Sequence, residues 1–427
     1  MKSEMQRPGF YGWKNVILLF IIYMFTLGIV FYGFSVIFPV MIKTLEWNRG
    51  TASIAHTINA LLMGFLAPLA AFSVNKLGTK KTISIGIVVL LIGLVVLGTL
   101  VSQLWQWIIA WGIIVSFGFI FCGAMPIQTT LMFWFEKKRA TAMGIVMTGG
   151  ALGGFLAQPF YTWLMELTST WQVGWLAGAV FAFMALILSF FIISKPEDVG
   201  QHTDGLSPDD IKTEQGGIEP SARTYRTPTS WALKEALRTH AVWFIMVVLI
   251  GFVMALWLVT AHGFLHLTDQ GFSQMHAASV LSLIILGSGV VRFPVGWLGD
   301  RIEPRWIITV ALGVALIMLF GIWKISSFKM MVVAGMVFGM GYGCLIIMIP
   351  TLMANYYGPD AFASIQGVVG PVVIIFCATV PVGAGYIFEE TGSYDLAFII
   401  MIMVLFISFV VSFFLAPPTK KEDEILL

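Results

Sequence analysis

Charged residues are scarce in this chain of 427 residues: Asp, Glu, Lys and Arg make up 11% of it, against about 25% in an ordinary soluble domain. The net charge of +2 gives no indication of a nucleic-acid partner. The three cysteines all lie in apolar segments, so the sequence predicts neither a disulfide framework nor a metal site. Apolar runs of about 20 residues recur along the chain instead, which is typical of a polytopic helical membrane protein.

The apolar runs predict twelve membrane-spanning helices, six on each side of one polar stretch. The predicted spans are 15–42, 51–74, 82–101, 105–133, 140–164, 171–194, 241–267, 275–299, 306–323, 330–355, 361–388 and 396–416. We therefore expect an all-α membrane protein with one six-helix bundle in residues 1–194, a linker in 195–240, and a second bundle with a short tail in 241–427. The first apolar segment is too long for a signal peptide, so no cleavage is expected.

Basic residues are distributed unequally between the two ends of these helices. Of the 24 Lys and Arg residues, 19 fall on the side that holds both termini and the linker, and 4 fall on the opposite side. Loops rich in Lys and Arg stay in the cytoplasm during membrane insertion. The distribution predicts cytoplasmic termini and a cytoplasmic linker. We expect the protein to lie in the plasma (inner) membrane.

Three landmarks recur in the second half of the chain at a nearly constant offset of 223 to 225 residues. The pairs are Asn75 with Asp300, Pro126 with Pro350, and Gly144 with Gly367. Such an offset predicts two pseudo-symmetric six-helix bundles. Transporters built from repeats bind their substrate near the bilayer midplane, between the repeats.

Arg292 is the one basic residue well inside an apolar segment, and no acidic residue lies deep enough in any segment to neutralise it. A charge at that depth costs at least about 2.5–3.5 kcal/mol, so it is expected to face a polar cavity and to have a partner. Snorkelling is the alternative, but Asp300 marks the helix end about 12 Å away, which an arginine side chain does not comfortably span. The pattern predicts that the partner is an organic anion that is transported.

Other residues are candidates for the same cavity. Ser288 lies one turn before Arg292 on the same helix face, where it either donates to substrate or bonds to its own helix. Tyr32 and Tyr342 lie in the middle of the first and tenth segments, as cavity-lining or as packing residues. The amides Asn59, Gln128 and Gln158 either line the pathway or join helices, and we expect them to join helices.

His262 and His266 lie one turn apart near the outer end of the seventh segment, as a possible proton site or as a hydrogen-bonded interfacial pair. No third ligand accompanies them, so no metal is expected. The run from Gly149 to Gly154 lies inside an apolar segment, which predicts close packing and rocking between the halves rather than a phosphate loop.

Loop residues after the second and eighth segments are candidates for gating. They are Asn75, Lys76, Asp300 and Arg301. We expect Asp300 to form a charge latch with Arg301 and Arg305, with solvation of a helix end as the alternative.

These landmarks resemble the major facilitator superfamily over essentially the whole chain. Gly296, Asp300 and Arg301 match the opening of its Gly-x-x-x-Asp-Arg-x-Gly-Arg-Arg signature, and the loop around Lys76 is a weakened copy. Residues 9–13 (Gly-Phe-Tyr-Gly-Trp) and 292–294 (Arg-Phe-Pro) are similar to the monocarboxylate transporters and the related oxalate–formate antiporters. The resemblance implies that an arginine in the eighth helix holds the substrate carboxylate and that aromatic residues line the cavity near Tyr32 and Tyr342.

Departures from the related families narrow this expectation. Ser288 stands where animal monocarboxylate transporters carry an acid, and the first segment has no lysine. The eleventh segment lacks the second cation of oxalate transporters. A single cation suits a single carboxylate, because a dianion would leave one charge uncompensated in a medium of low dielectric constant.

The sequence therefore predicts a monomeric secondary transporter of small monocarboxylates such as lactate or pyruvate, working by proton symport and alternating access. The predicted partners are a small organic anion, a proton and the lipid bilayer. Exchange of formate or another carboxylate is the alternative, and a substrate-sensing receptor is a further one. No catalytic constellation appears at helical spacing, so neither an enzyme nor a cofactor is expected.

Overall fold

The computed structural model describes residues 9–205, 224–229 and 231–419, and the regular structure within these ranges is helical. Eleven helices there are long and apolar enough to cross a membrane, and one bent helix pair completes a set of twelve. The ends of the chain and the middle of the predicted linker lie outside the described residues.

The spans are numbered in chain order. They are α1 (Gly12–Thr44), α2 (Arg49–Leu77, bent by 47° near Leu66), α3 (Thr79–Thr99), α4 (Leu104–Trp134), α5 (Arg139–Thr168), α6 (Trp171–Ser189), α7 (His240–Asp269), α8 (Gln274–Gly299), α9 (Pro304–Lys324), α10 (Phe328–Tyr357), α11 (Pro359–Thr391) and α12 (Asp395–Ser412). Each predicted span overlaps one of these helices, which confirms the all-α fold of two six-helix bundles. We name α1–α6 the N-half and α7–α12 the C-half.

Two of the long helices are not α-helical throughout. Met24–Phe31 in α1 and Ile108–Val115 in α4 are π-helical. A π-turn widens the helix and changes which side chains share a face, and such segments often lie at functional sites. In α1 the π-helical segment separates Tyr23 from Tyr32, and both tyrosines lie near the candidate site described below.

The two ends of the molecule differ. We name the end that carries Gly9, Lys195 and Leu415 the linker face, and the other end the opposite face. At the linker face the chain turns sharply between consecutive helices: α2 is followed by Gly78 and α10 by Gly358, with φ of +84° and +82°. Glycine adopts this backbone region far more readily than other residues, so both glycines allow the tight turns.

The halves meet closely along α5 and α8 near the linker face. A Cβ added to Gly144 would lie 2.5 Å from the carbonyl oxygen of Arg292, and one added to Gly296 would lie 2.4 Å from that of Ala140. Small residues therefore permit backbone contact between the halves, as is common for helices that pack in membranes. A second contact joins α2 and α11, where Asn75 donates to Ser364.

We call the row of residues on α5 that faces α8, and the row on α8 that faces α5, the facing stripes. They are in contact near the linker face and separate toward the opposite face. On α5 the stripe is buried from Ala140 through Met147, whereas Phe155, Gln158 and Thr162 are exposed. On α8 the corresponding change comes beyond Gly289, and the exposed residues are Ala278, Ser282 and Ile285. The halves are thus closed against each other at the linker face and open as a cleft toward the opposite face.

Candidate functional site

Arg292 lies on α8 where the contact between the halves gives way to the cleft. Its side chain is 7% exposed. Nη1 donates to the carbonyl oxygen of Met147 on α5 at 2.5 Å, and Nη2 donates to Oγ of Ser288 at 3.2 Å. Nε is buried and has no hydrogen-bond partner. The five N–H donors of a guanidinium are therefore only partly used.

The charge of Arg292 is not neutralised within the described ranges. No Asp or Glu there forms an ion pair with it; the ion pairs Lys195–Asp360 and Lys324–Asp395 both involve exposed side chains. A buried cation without a counter-charge is costly, because desolvation removes its hydration and two hydrogen bonds replace only part of it. Arg292 is consequently suited to bind an anion that enters from the cleft.

Three tyrosines lie within electrostatic range of one another around this charge. Tyr23 and Tyr342 both interact with Arg292 and with Tyr32. Tyr342 also packs parallel to Phe252 at a centroid distance of 6.3 Å. Tyr32 and Tyr342, both predicted from the sequence, are thus brought together with Arg292. Phenol hydroxyls both donate and accept hydrogen bonds, so this group can contact the polar end of a ligand.

Tyr23 was not predicted. It is 5% exposed and packs against Gly150 of α5, where an added Cβ would lie 2.6 Å from its ring. The glycine run of α5 was the feature of the sequence that could have indicated this ring, because glycines on one face make room for large rings on a neighbouring helix. That signal did not show which helix lies opposite.

The glycines of this run pack within the N-half, and Ala151 of the same run faces Gly289 of α8. Gly150 and Gly154 contact Tyr23 and Tyr32, and Gly153 lies against Gly28, all on α1. These contacts agree with the close helix packing predicted for the run, and its part in rocking between the halves stays a prediction. Gly144, on a different face of α5 from these glycines, also lies against the C-half.

Ser288 accepts a hydrogen bond from Arg292 and is 2% exposed. In the described contacts its hydroxyl does not bond to its own backbone, and it holds one arm of the guanidinium. We interpret it as the residue that orients Arg292, since a fixed guanidinium loses less conformational entropy when it binds.

Asp300 makes one of the contacts that close the linker face. Its Oδ1 accepts from the backbone N–H of Ala140 at 2.8 Å, and its Oδ2 accepts from the N–H of Thr141 at 3.0 Å and from its hydroxyl at 2.5 Å. These groups form the first turn of α5, whose unpaired N–H groups and helix dipole attract a carboxylate. Burial raises the pKa of Asp300 above its usual 3.8, and the hydrogen bonds from Thr141 and Ala140 oppose that shift.

The arginines near Asp300 do not form the latch expected from the sequence. Arg301 donates to the carbonyl of Trp297 and lies 3.8 Å from the centre of that ring, and Arg305 donates to the carbonyl of Leu415. The partner of the carboxylate is a helix N-terminus on the other half, which the sequence does not reveal because it depends on how the halves dock.

The other predicted gating residues lie at the linker face. Asn75 joins α2 to α11 through the hydroxyl of Ser364 at 2.7 Å. Lys76 places its ammonium 5.5 Å from the centre of the Phe72 ring, on its own helix. Only Asn75 of this pair bridges the two halves in the described contacts.

His262 and His266 are hydrogen-bonded within the C-half. The two ring nitrogens of His262 contact the hydroxyl of Tyr394 at 3.1 Å and the carbonyl oxygen of Pro381 at 2.9 Å. His266 is 6% exposed and contacts the amide of Gln270. Neither ring forms a described hydrogen bond with Arg292, so the structure does not bring these histidines into the group around it.

The amides differ in their surroundings. Asn59 donates to the carbonyl of Trp111 and to Ser116, so it joins α2 to α4 as expected. Nε2 of Gln128 lies 3.5 Å from the carbonyl oxygen of Ile346 on α10. Pro350 lacks the N–H that would otherwise bond that oxygen, so Gln128 occupies an acceptor that proline left free. Gln158 is exposed and joins no helices in this conformation.

Comparison with known proteins agrees with this architecture. The chain is 24% identical over 417 residues to monocarboxylate transporter 12 of Rattus norvegicus, a match that covers 92% of this chain and 82% of the relative. It is 24% identical over 395 residues to human monocarboxylate transporter 2, covering 85% and 78%.

Solved structures share the fold. The transporter FucP in its outward conformation superimposes with a TM-score of 0.71 at 13% identity, covering 94% of this chain and 99% of FucP. The human organic anion transporter MFSD10 gives a TM-score of 0.68 at 14% identity, covering 95% and 100%.

The family assignment rests on nearly the whole sequence. The family model described as Major Facilitator Superfamily matches residues 19–373 and, separately, 267–426. The twelve spans, the two bundles and the relatives agree with that match. The chain is thus a multi-pass membrane transporter related to the monocarboxylate transporters, not an enzyme, and it belongs to the Major Facilitator Superfamily.

Proposed function

We propose that the protein transports small monocarboxylates such as lactate or pyruvate, and that Arg292 binds their carboxylate. The observation that carries this proposal is the buried guanidinium that has no counter-charge in the described ranges and keeps Nε unbonded. A carboxylate matches the planar fork of a guanidinium with two parallel hydrogen bonds. An anion bound there supplies the missing charge.

The charge balance supports a substrate with one carboxylate. Arg292 is the one cation of this site among the described residues, and the side chains next to it are the phenols of Tyr23, Tyr32 and Tyr342. A second carboxylate would be desolvated without a partner, which is strongly unfavourable in a medium of low dielectric constant. The rings provide apolar surface for a short carbon chain. The named relatives, monocarboxylate transporters 12 and 2, support the same substrate class.

Alternating access follows from the cleft. Residues 1–194 and 241–427 act as two bundles that rock about the site, joined by the linker 195–240. The excess of basic residues supports a cytoplasmic linker face in the plasma (inner) membrane. With that orientation the described conformation is open to the outside, and closure of the cleft together with release of Asp300 opens the way inward. We propose a monomer as the working unit.

Coupling to a proton makes the transported load neutral, so the membrane potential does not oppose entry of the anion. His262 and His266 remain our candidates for a protein-borne proton, because an imidazole can both accept and donate a proton. The alternative is exchange of one carboxylate, such as formate, against another.

The test is uptake of labelled lactate into proteoliposomes, with and without an imposed pH gradient. Arg292→Lys keeps the charge but loses the planar fork of two parallel N–H donors. We expect initial uptake to fall at least about tenfold, which corresponds to the loss of one charge-assisted hydrogen bond. The matched control is Arg238→Lys in the linker, which should transport as the parent does.

Each outcome separates one part of the proposal. Uptake that is unchanged in Arg292→Lys would remove Arg292 from its role. Uptake that requires an internal anion and ignores the pH gradient would select exchange over symport. Binding of lactate without any uptake would contradict transport of this substrate class.

A further inference from the structure

Contacts between α5 and α8 follow one antiparallel register. The first pair is Ala140 with Asp300, which a hydrogen bond joins. The second is Gly144 with Gly296, because a Cβ added to Gly296 would lie 3.2 Å from the Cα of Gly144. The third is Ala151 with Gly289, because a Cβ added to Gly289 would lie 2.9 Å from the Cβ of Ala151. Each step along α5, of four and then seven residues, is matched by an equal step back along α8. Steps of three and four keep residues on one helix face, so the register describes a continuous pair of stripes.

The register continues beyond the last contact. The next steps of four, three and four residues pair Phe155 with Ile285, Gln158 with Ser282, and Thr162 with Ala278. All six are exposed, and Phe155 and Ile285 are 70% and 50% exposed. These are the parts of the stripes that border the open cleft.

We propose that α5 and α8 pivot about Ala151 and Gly289, and that these three pairs form the gate that closes the opposite face. Gly289 has no side chain and Ala151 has one methyl group, so the two helices can tilt at this level without a clash between larger groups. Rocking that separates Asp300 from Ala140 brings the outer stripes together in the same register, because both helices are continuous through the pivot.

The pairs have the chemistry of a gate. Phe155 and Ile285 are large and apolar, and closure removes them from water, which is favourable. Gln158 can donate its amide N–H to the hydroxyl oxygen of Ser282, whose own O–H is engaged with the carbonyl of Ala278 at 3.0 Å. Thr162 and Ala278 are small enough for the backbones to approach.

The Phe155–Ile285 pair lies about 10 Å, or two helical turns, outward of Arg292. In the closed gate it forms the lid over the bound carboxylate, and it limits how far an aliphatic chain can extend outward. The role of this pair as a lid over the substrate rests on the proposed function. The register and the pivot are independent of it.

Disulfide cross-linking tests the register. In a variant with Cys122, Cys344 and Cys377 replaced by Ala, Thr162→Cys is combined with Ala278→Cys, and a protease site is inserted within 206–223. After oxidation in proteoliposomes and cleavage, a disulfide holds the two halves together on a denaturing gel. A disulfide needs Cα atoms within about 7 Å, so it forms only when the cleft closes.

The matched controls share the background. Thr162→Cys with Ile285→Cys is displaced by two turns, about 10 Å, along the same stripe and should cross-link at least about tenfold more slowly. Ala140→Cys with Gly299→Cys is the positive control, because an added Cβ on Gly299 lies 3.2 Å from that of Ala140.

We expect rapid cross-linking of Thr162→Cys with Ala278→Cys and loss of lactate uptake that a reducing agent reverses. Adding Arg292→Lys should lower uptake at least about tenfold and leave the cross-link intact, so a wrong substrate is distinguished from a wrong gate. Equal or faster cross-linking of the displaced pair, or none of either while the positive control reacts, would overturn the proposal.

Discussion

Nη1 of Arg292 on α8 lies 2.5 Å from the carbonyl oxygen of Met147 on α5, to which it donates a hydrogen bond. The residue proposed to hold the substrate is therefore also a contact between the two halves. A carboxylate bound by both terminal nitrogens must share Nη1 with the carbonyl of Met147, which weakens that bond. Substrate binding should then weaken the closed linker face at the moment the site is filled.

Saturating lactate should slow cross-linking of Ala140→Cys with Gly299→Cys severalfold, because it weakens one bond that holds this interface together. Cross-linking rates with and without lactate measure the effect. The same pair in an Arg292→Lys background should not respond to lactate. A response that persists there would show that the coupling does not pass through Arg292.

Ser288→Ala should raise the apparent KM for lactate about three- to tenfold, the cost of one hydrogen bond that fixes the guanidinium. Because the charge stays, uptake at saturating lactate should change less than in Arg292→Lys. Ser279→Ala on the same helix is the control, since its hydroxyl bonds only to the carbonyl of Met275. An unchanged KM would contradict the orienting role.

Gly144→Ala should open the linker face. The new methyl group would lie 2.5 Å from the backbone oxygen of Arg292, so α5 and α8 must separate there. We expect a single Thr162→Cys to react more slowly with an impermeant maleimide, because the cleft spends more time closed. Gly383→Ala, where nothing lies within 4 Å of the added Cβ, should leave that rate unchanged.

Acidity at the linker face should favour the described conformation. Burial raises the pKa of Asp300 above its usual 3.8 while it caps α5, and the carboxyl returns to water when the halves separate there. The capped state therefore binds a proton more tightly. Its advantage is complete below 3.8 and is lost as the pH rises through the raised value.

Lowering the pH on that side from neutrality toward 3.8 should accordingly increase maleimide labelling of Thr162→Cys in the cleft. In Asp300→Asn this part of the pH response should disappear, because the amide does not titrate. A response of full size in the variant would assign the effect to another group.

Glu166 lies in the last turn of α5, and the register places it opposite the first turn of α8. A carboxylate near a helix N-terminus contributes about 0.3–1 kcal/mol, so Glu166→Gln should slow cross-linking of Thr162→Cys with Ala278→Cys about two- to fivefold. Glu389→Gln, an exposed acid near the end of α11, is the control. Equal slowing in both variants would point to general surface charge.

The spans and the depth of Arg292 could be predicted from the sequence, because apolar length and an isolated charge are local properties. The partner of Asp300 could not, since it is a pair of backbone N–H groups on another helix and leaves no mark in side-chain chemistry. Met147 escaped prediction for the same reason: its contribution is a carbonyl oxygen.

The place of Tyr23 in the site could not be predicted for a different reason. Helical spacing assumes 3.6 residues per turn, and the π-helical segment Met24–Phe31 alters the angle between Tyr23 and Tyr32. A regular α-helix therefore gives the wrong relation between the two rings. The amide of Gln128 was recognised as joining helices, but its acceptor depends on the carbonyl that Pro350 leaves free.

Gly28 of α1 and Gly153 of α5 approach so closely that a Cβ on Gly28 would lie 2.7 Å from the Cα of Gly153. With no side chains between them, these helices have no compressible layer and little freedom to slide. A displacement of α5 during rocking must carry α1 and its tyrosines along with it. A spectroscopic label on α1 would then report the movement of α5, even though α1 is not one of the two helices of the α5–α8 contact.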